Sequence, residues 1–163
     1  MSSSTRVPTD PDVDLHIAGQ RRELIRAPWA VLGTVAAGGA LGAFGRFGLA
    51  TAWPHRPTHF PWATFLTNVS GCLLIGILMV VITEVWSAHR LIRPFLGVGV
   101  LGGYTTFSTY TGEVQQMVAA GAARTGLVYL LGTPVAALAA VYLGVTLTRM
   151  ATRRRRRPRE EVS

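Results

Sequence analysis

The middle of the chain reads Gly102-Gly103-Tyr104-Thr105-Thr106-Phe107-Ser108-Thr109-Tyr110, a glycine pair followed by hydroxyl and aromatic residues. It lies within an uncharged segment that extends from Leu91 almost to Val118, apart from Arg93 and Glu113. A segment of this length crosses the hydrocarbon core of a bilayer, which takes about 20 helical residues. Polar sequence with helix-weakening glycines is tolerated at that depth only where it is buried in protein or lines a water-filled path. We therefore take this stretch as the candidate functional site of a membrane protein.

Three further segments of the 163-residue chain are nearly free of charge: Trp29 to Ala52, Trp62 to Val85 and Gly126 to Leu147. Together with the segment that contains Gly102, they predict an all-α membrane protein with four transmembrane helices joined by short loops. Because Gly102 and Gly103 weaken a helix, we expect the third transmembrane helix to be broken there.

The remaining residues divide the chain into three parts. Residues 1–27 are charged and lack an apolar run, which predicts a disordered cytoplasmic tail rather than a signal peptide. Residues 28–150 form the four-helix transmembrane domain, and residues 151–163 form a basic cytoplasmic tail. The single cysteine, Cys72, has no partner thiol within the chain, so we interpret it as a small packing residue.

All 16 basic residues are arginine, and their distribution predicts the orientation of the chain. With four spans, both tails and the loop between spans two and three share one side. That side holds Arg6, Arg21, Arg22, Arg26, Arg90, Arg93, Arg149, Arg153 to Arg157 and Arg159, against Arg56 and Arg124 on the other side. The positive-inside rule therefore predicts cytoplasmic termini in the plasma membrane.

The arginine run 153–157 is a candidate contact for phosphate groups. Nucleic acid would require an aromatic platform or a recognition fold, and the sequence contains neither. We therefore interpret the run as a topology anchor that contacts anionic headgroups of membrane lipid.

The first two spans contain polar candidates among small residues. Arg46 ends a glycine-rich stretch whose four-residue spacing favours close helix packing, and it either shapes an anion-attracting vestibule or anchors the helix at the interface. Thr64 and Asn68 are four residues apart and share one helix face. The Asn68 amide suits a buried hydrogen bond between helices or a dehydrated anion, and the sequence leaves both open.

The third span places Phe107 and Tyr110 three residues apart, so that both rings project on one side. Aromatic ring edges are electropositive and can face an anion, although such pairs also occur in packed cores. A break at the glycines would release backbone carbonyls that coordinate ions.

The fourth span places Tyr129 and Thr133 four residues apart, immediately before Pro134. Proline lacks an N–H group, so it leaves the carbonyl of Leu130 without its helical donor. The two hydroxyl groups either extend a track of donors or form hydrogen bonds within the bundle.

Taken together, the motifs of the first three spans resemble those of a known family. The Gly-Gly-x-x-Gly-x-x-x-Arg pattern that ends at Arg46, the Thr-x-x-x-Asn-x-x-Gly pattern from Thr64, and the third-span stretch are similar to the fluoride channels of the Fluc family, also called CrcB. The resemblance extends from about Trp29 to Met150, in order. It implies a fluoride-selective channel that exports fluoride from the cytoplasm down its electrochemical gradient and so reduces toxicity. It also implies an antiparallel dimer with two pores and a structural sodium ion, Na+, at its centre.

The resemblance assigns roles to individual residues. Sodium ligands of the family correspond to the backbone carbonyls of Gly102 and Thr105. The predicted pore-lining or fluoride-binding residues are Asn68, Phe107, Tyr110, Thr64, Ser108, Tyr129 and Thr133, and the predicted vestibule residues are Arg46 and Glu113. Tyr110 departs from the family's second phenylalanine, and its added hydroxyl either reorients the ring or binds fluoride directly.

The arginine bias is a second departure. A subunit that inserts in both orientations should carry little bias, whereas this chain has thirteen arginines on one side and two on the other. We therefore predict a fixed orientation and an oppositely oriented, paralogous partner, which together form a heterodimer.

Three other functions are alternatives to a channel: an exporter, an enzyme and a helical scaffold. A proton-coupled exporter of the small multidrug resistance type needs a carboxylate in its first span, where this chain has Arg46. An enzyme is disfavoured because the four histidines lie in tails or loops without metal-ligand spacing. A helical scaffold without transport activity differs from a channel in that replacing Phe107 should have no effect on transport.

Overall fold

The computed structural model describes residues 28–85 and 91–156. The predictions for the N-terminal tail, for the loop residues 86–90 and for residues 157–163 lie outside this part of the chain. Every regular element among the described residues is helical. The prediction of an all-α protein is therefore confirmed at this level.

The described residues form five α-helices and two π-helical segments. The α-helices are α1 (Pro28–Ala52), α2 (Trp62–Val80), α3 (Gly102–Tyr104), α4 (Phe107–Ala119) and α5 (Ala123–Arg156). Helix α2 continues into a π-helical turn at Val81–Val85, and a second π-helical segment, Pro94–Leu101, leads into α3.

Three helical stretches among the described residues are long and apolar enough to cross a membrane. They are Trp29–Ala52, Trp62–Val85 and Ala123–Thr152, which correspond to the predicted first, second and fourth spans. The predicted third span is divided among Pro94–Leu101, α3 and α4, so none of its pieces reaches the required length.

Two residues separate α3 from α4. Thr105 has φ −79° and ψ 156°, and Thr106 has φ −150° and ψ 128°, so both are extended. The Thr106 hydroxyl accepts a hydrogen bond from the N–H of Thr109 at 3.2 Å and caps the first turn of α4. The chain therefore leaves the helix at Thr105 and begins a new one with its own N-cap. The glycine pair, where we predicted the break, is itself helical, so the interruption lies two residues further along the chain.

Glycines bring α1 against the segment before this interruption. A Cβ atom on Gly42 would lie 2.0 Å from the carbonyl oxygen of Val100, and one on Gly103 would lie 2.2 Å from that of Gly39. No larger residue fits at such distances. The predicted close packing of the first-span glycines is therefore confirmed.

Helix α2 packs in the same way on α5. A Cβ atom on Gly76 would lie 2.6 Å from the carbonyl oxygen of Val141, and one on Gly144 would lie 2.5 Å from that of Leu73. The turn between α4 and α5 spans only residues 120–122 and contains Gly121 at φ 78°. This short turn brings the hydroxyl residues of α4 close to those of α5.

Candidate functional site

The interruption between α3 and α4 is held by a side chain from α2. Asn68 donates from Nδ2 to the carbonyl of Thr106 at 2.9 Å, and its Oδ1 accepts the N–H of Thr106 at 2.8 Å. One amide group therefore satisfies both polar backbone groups of a residue that has left the helix. Of the two interpretations of Asn68, this geometry gives the hydrogen bond between helices, and one Nδ2 hydrogen remains for another acceptor.

The bond from Thr106 has a consequence one turn earlier. In a continuous helix its N–H would bond to the carbonyl of Gly102, but here it bonds to Asn68. The carbonyl of Gly102 thus lacks its helical donor, whereas that of Gly103 accepts Arg46 Nε at 3.3 Å. The N–H of Thr105 still bonds to the Leu101 carbonyl at 3.0 Å.

A second cluster surrounds the carboxylate of Glu113 on α4. Thr64 donates its hydroxyl to Oε1 at 2.7 Å, and Tyr129 donates to Oε2 at 2.8 Å. The Nε2 atom of His55 lies 3.8 Å from Oε1. Glu113 is only 8% exposed, so its charge is stabilised by these donors rather than by solvent.

Aromatic rings connect this cluster to the start of α4. The rings of Tyr110 and Tyr129 are 5.0 Å apart between centroids, and those of Phe107 and Tyr110 are 5.8 Å apart. Tyr110 is 4% exposed and Tyr129 is fully buried, whereas Phe107 is 77% exposed. The rings of Phe107 and Tyr110, which we predicted to project on one side, are therefore neighbours, but one is buried and the other is exposed.

Two hydroxyl groups on the predicted path differ in their partners. The Thr133 hydroxyl is buried and has no hydrogen-bond partner among the described residues. The Ser108 hydroxyl lies 3.3 Å from that of Thr106 at the exposed start of α4. A buried donor without a partner is costly, which marks Thr133 as a place where a ligand would supply the missing acceptor.

A groove of about 330 Å³ lies between α1, α2 and the start of α4. Its polar lining residues are Arg46, Thr64, Thr67, Thr106 and Thr109. Since Thr64 belongs to the Glu113 cluster and Thr106 to the interruption, the groove connects the two polar regions.

Arg46 and Glu113, which were predicted to share a vestibule, lie in different polar regions. Arg46 donates to the interrupted backbone, and Glu113 accepts from Thr64 and Tyr129. Sequence reasoning included Thr106 in the candidate stretch without giving it a role, and it did not identify His55. The capping preference of threonine before an apolar helix could have indicated Thr106, whereas nothing in the sequence near His55 indicates its proximity to Glu113.

Among residues 28–85 and 91–156 there is no group of three His, Cys, Asp or Glu side chains that could hold an ion. Gly102 and Thr105, whose carbonyls the family resemblance implies as sodium ligands, lie at the interruption.

Comparison with known proteins identifies a family that covers most of the chain. Residues 33–145 match the family model described as CrcB-like protein, Camphor Resistance (CrcB). The match contains the second and third predicted spans in full, the first span except its first four residues, and the fourth except its last two.

Individual relatives are similar over most of their length. Fluoride-specific ion channel FluC 2 of Nocardia farcinica is 53% identical over 128 residues, covering 78% of this chain and 91% of that protein. FluC 2 of Streptomyces avermitilis is 49% identical over 124 residues, covering 76% and 78%. FluC 1 of Streptomyces coelicolor is 48% identical over 135 residues, covering 83% and 88%. The chain belongs to the CrcB family.

Proposed function

We propose that this chain is a subunit of a fluoride-selective ion channel that exports fluoride from the cytoplasm down its electrochemical gradient. The similarity to proteins named fluoride-specific ion channels, at 48 to 53% identity, supports the substrate. Such export lowers fluoride toxicity and involves no covalent step, so the chain is not an enzyme. The structural observation that carries this proposal is the buried hydroxyl of Thr133, which has no hydrogen-bond partner among the described residues.

Neutral donors suit fluoride, which is small, strongly hydrated and an excellent hydrogen-bond acceptor. A conducting site must replace water without binding so tightly that the ion cannot leave. The proposed path uses the second Nδ2 hydrogen of Asn68, the hydroxyls of Thr133 and Ser108, and the ring edge of Phe107. Thr64 and Tyr129 line it while their hydroxyls donate to Glu113.

We place the path along the groove and the neighbouring aromatic rings. Arg46 lies at the groove and attracts anions, whereas its hydrogen bond to Gly103 keeps the guanidinium at the wall. Glu113 would repel fluoride, but Thr64 and Tyr129 bind its two oxygens and reduce its exposed charge.

The segments Pro94–Leu101, α3 and α4 together form the third transmembrane span in this proposal. An interruption inside a bilayer is tolerated because Asn68 satisfies the polar backbone groups of Thr106. The same interruption gives the span a site for ions.

A structural sodium ion fits the carbonyls of Gly102 and Thr105. The Gly102 carbonyl lacks its helical donor, and Thr105 is the first residue outside α3. Two carbonyls are too few for a complete site, so a second subunit would contribute a matching pair. When bound to these carbonyls, the cation would supply a fixed positive charge at the interruption, and it would not be transported.

The exposed Phe107 ring supports the dimer. A ring that is 77% exposed at an interrupted span would be covered by an antiparallel second subunit, and the remaining lipid-facing residues would contact membrane lipid. Because of the arginine bias, we propose a paralogous partner of opposite orientation, with both termini of this chain in the cytoplasm.

The proposal is tested by fluoride efflux from loaded liposomes. The chain together with its partner subunit should release fluoride and not chloride, and Phe107→Ile should abolish the flux while the dimer still assembles. Fluoride efflux from the single purified chain would contradict an obligate heterodimer but not a channel. No efflux from any assembly would contradict the channel itself.

The sodium site has its own test. Purified protein should unfold at a higher temperature in sodium chloride than in N-methylglucamine chloride of equal ionic strength, because bound sodium stabilises only the folded dimer. Equal unfolding temperatures would contradict the site.

A further inference from the structure

A carbonyl on α5 lacks its usual helical partner because of a proline. Pro134 lies inside α5 and has no N–H group, so the carbonyl of Leu130 receives no bond from the residue four positions later. A partly buried carbonyl in this position normally requires another donor.

That donor comes from the neighbouring helix. The hydroxyl of Tyr110, on α4, donates to the carbonyl of Leu130 through a short hydrogen bond. The phenol thus replaces the backbone N–H that Pro134 lacks, and it joins α4 to α5.

The ring of Tyr110 is held on both sides as well. It meets the ring of Tyr129 at 5.0 Å with an interplanar angle of 65°, and that of Phe107 at 5.8 Å with an angle of 47°. With the hydroxyl bound to Leu130, the ring has one orientation available beside Phe107.

We propose that Tyr110 and Pro134 act as a coupled pair that shapes the fluoride path. Tyr110 is a positioning residue: its hydroxyl covers the carbonyl of Leu130, and its ring orients the exposed ring of Phe107. A carbonyl oxygen left bare beside these rings would repel an anion. The hydroxyl is therefore committed to the protein and does not bind fluoride. This inference rests on the proposed channel function.

The pair predicts an unusual result for a conservative change. Tyr110→Phe restores the phenylalanine that the family resemblance implies, yet it leaves the Leu130 carbonyl bare and should lower fluoride efflux by about tenfold. Pro134→Ala restores the backbone donor and should have little effect alone. The double variant should recover efflux to within about twofold of the parent, because the alanine N–H then bonds to Leu130.

The experiment measures fluoride efflux from liposomes with the full-length chain in its conducting assembly, and thermal unfolding of the same four proteins in detergent. Tyr142→Phe is the matched control, since Tyr142 lies on α5 and is 72% exposed; it should change neither quantity. We expect Tyr110→Phe to lower the unfolding temperature and the double variant to restore it.

Each other outcome contradicts part of the proposal. Equal efflux loss in Tyr110→Phe and in the double variant would mean that the hydroxyl acts on fluoride instead. A change in unfolding temperature without a change in efflux would make the pair purely structural. If the parent assembly conducts no fluoride, the channel proposal fails. Independently of that result, additive effects of the two changes on the unfolding temperature would contradict the coupling between Tyr110 and Pro134.

Discussion

The two polar regions of this chain both satisfy polar groups away from solvent, but they do so with different kinds of hydrogen-bond partner. At the interruption, Asn68 pairs with the backbone of Thr106 through two neutral hydrogen bonds. In the second region, the carboxylate of Glu113 is buried and contacts Thr64, Tyr129 and His55. The neutral region can face an anion directly. In the charged region the carboxylate repels an anion unless hydrogen-bond donors stabilise its charge.

The comparison teaches which groups are available to a ligand. The hydroxyls of Thr64 and Tyr129 already donate to Glu113, so in the proposed path they line the wall rather than donate to fluoride. Around Thr106, Asn68 keeps one N–H hydrogen, and on α5 the hydroxyl of Thr133 keeps its donor. Free neutral donors therefore lie outside the carboxylate cluster.

The largest effect is expected from breaking the neutral region. Asn68→Leu keeps the side-chain size but leaves the N–H and the carbonyl of Thr106 unpaired, at a cost of about 1–3 kcal/mol for each group. We expect a large fall in unfolding temperature in detergent and loss of fluoride efflux. Ser70→Ala is the control on the same helix, because Ser70 contacts the Tyr104 hydroxyl and not the interrupted backbone. Equal effects of the two changes would contradict the role of Asn68.

The next largest effect is expected from breaking the charged region. Glu113→Gln keeps the shape but replaces one acceptor oxygen with an NH₂ group, so a hydroxyl from Thr64 or Tyr129 loses its charged partner. The expected loss of unfolding free energy is about 1.5–3 kcal/mol. Glu84→Gln, at the exposed pair with Arg149, serves as the control and should cost at most ~1 kcal/mol. A larger loss for Glu84→Gln would invalidate the contrast between buried and exposed carboxylates.

A third change separates stability from conduction. Thr133→Val removes a buried hydroxyl that has no partner, so the unfolding free energy should stay the same or rise by about 1 kcal/mol. Fluoride efflux should fall, because the path loses a free donor. Thr146→Val is the control: its hydroxyl bonds to the Tyr142 carbonyl on the same helix, and efflux should be unchanged. Unchanged efflux in Thr133→Val would show that the hydroxyl is not part of the path.

The smallest effect is expected at the edge of the charged region. His55→Ala removes a side chain whose nitrogen is 3.8 Å from Glu113; the residue lies in the loop between α1 and α2, and its side chain is a quarter exposed. The unfolding free energy should change by less than ~1 kcal/mol. Thermal unfolding of His55→Ala beside Glu113→Gln measures the difference. A loss as large as that of Glu113→Gln would mean that His55, rather than the hydroxyls, stabilises the carboxylate.

Much of the fold was predictable because the bilayer restricts the alternatives. A segment of about 20 apolar residues must form a helix in hydrocarbon, so length and charge alone located three of the spans. The glycine spacing in the first span also predicted that another helix approaches α1 closely, and the structure identifies residues 95–104 as that partner. The free carbonyl of Leu130 followed from Pro134 by local chemistry alone.

The partners of the site residues were not predictable in this way. Asn68 and Thr106 are 38 residues apart, Thr64 and Glu113 are 49 apart, and Tyr110 and Leu130 are 20 apart. No spacing rule connects positions on different helices, because their contacts depend on helix rotation and packing. The roles of these residues in fluoride and sodium binding stay predictions.

By itself, the sequence determined that this protein is helical, that it enters the membrane, which family it belongs to and which segments carry polar groups, because each of these follows from local composition and motif. Only the tertiary structure decided which polar groups remain free. Asn68 is committed to the backbone of Thr106, the hydroxyl of Tyr110 to Leu130, and the oxygens of Glu113 to Thr64 and Tyr129. A hydrogen bond depends on a few tenths of an ångström between groups from different helices, and that distance exists only once the helices have packed.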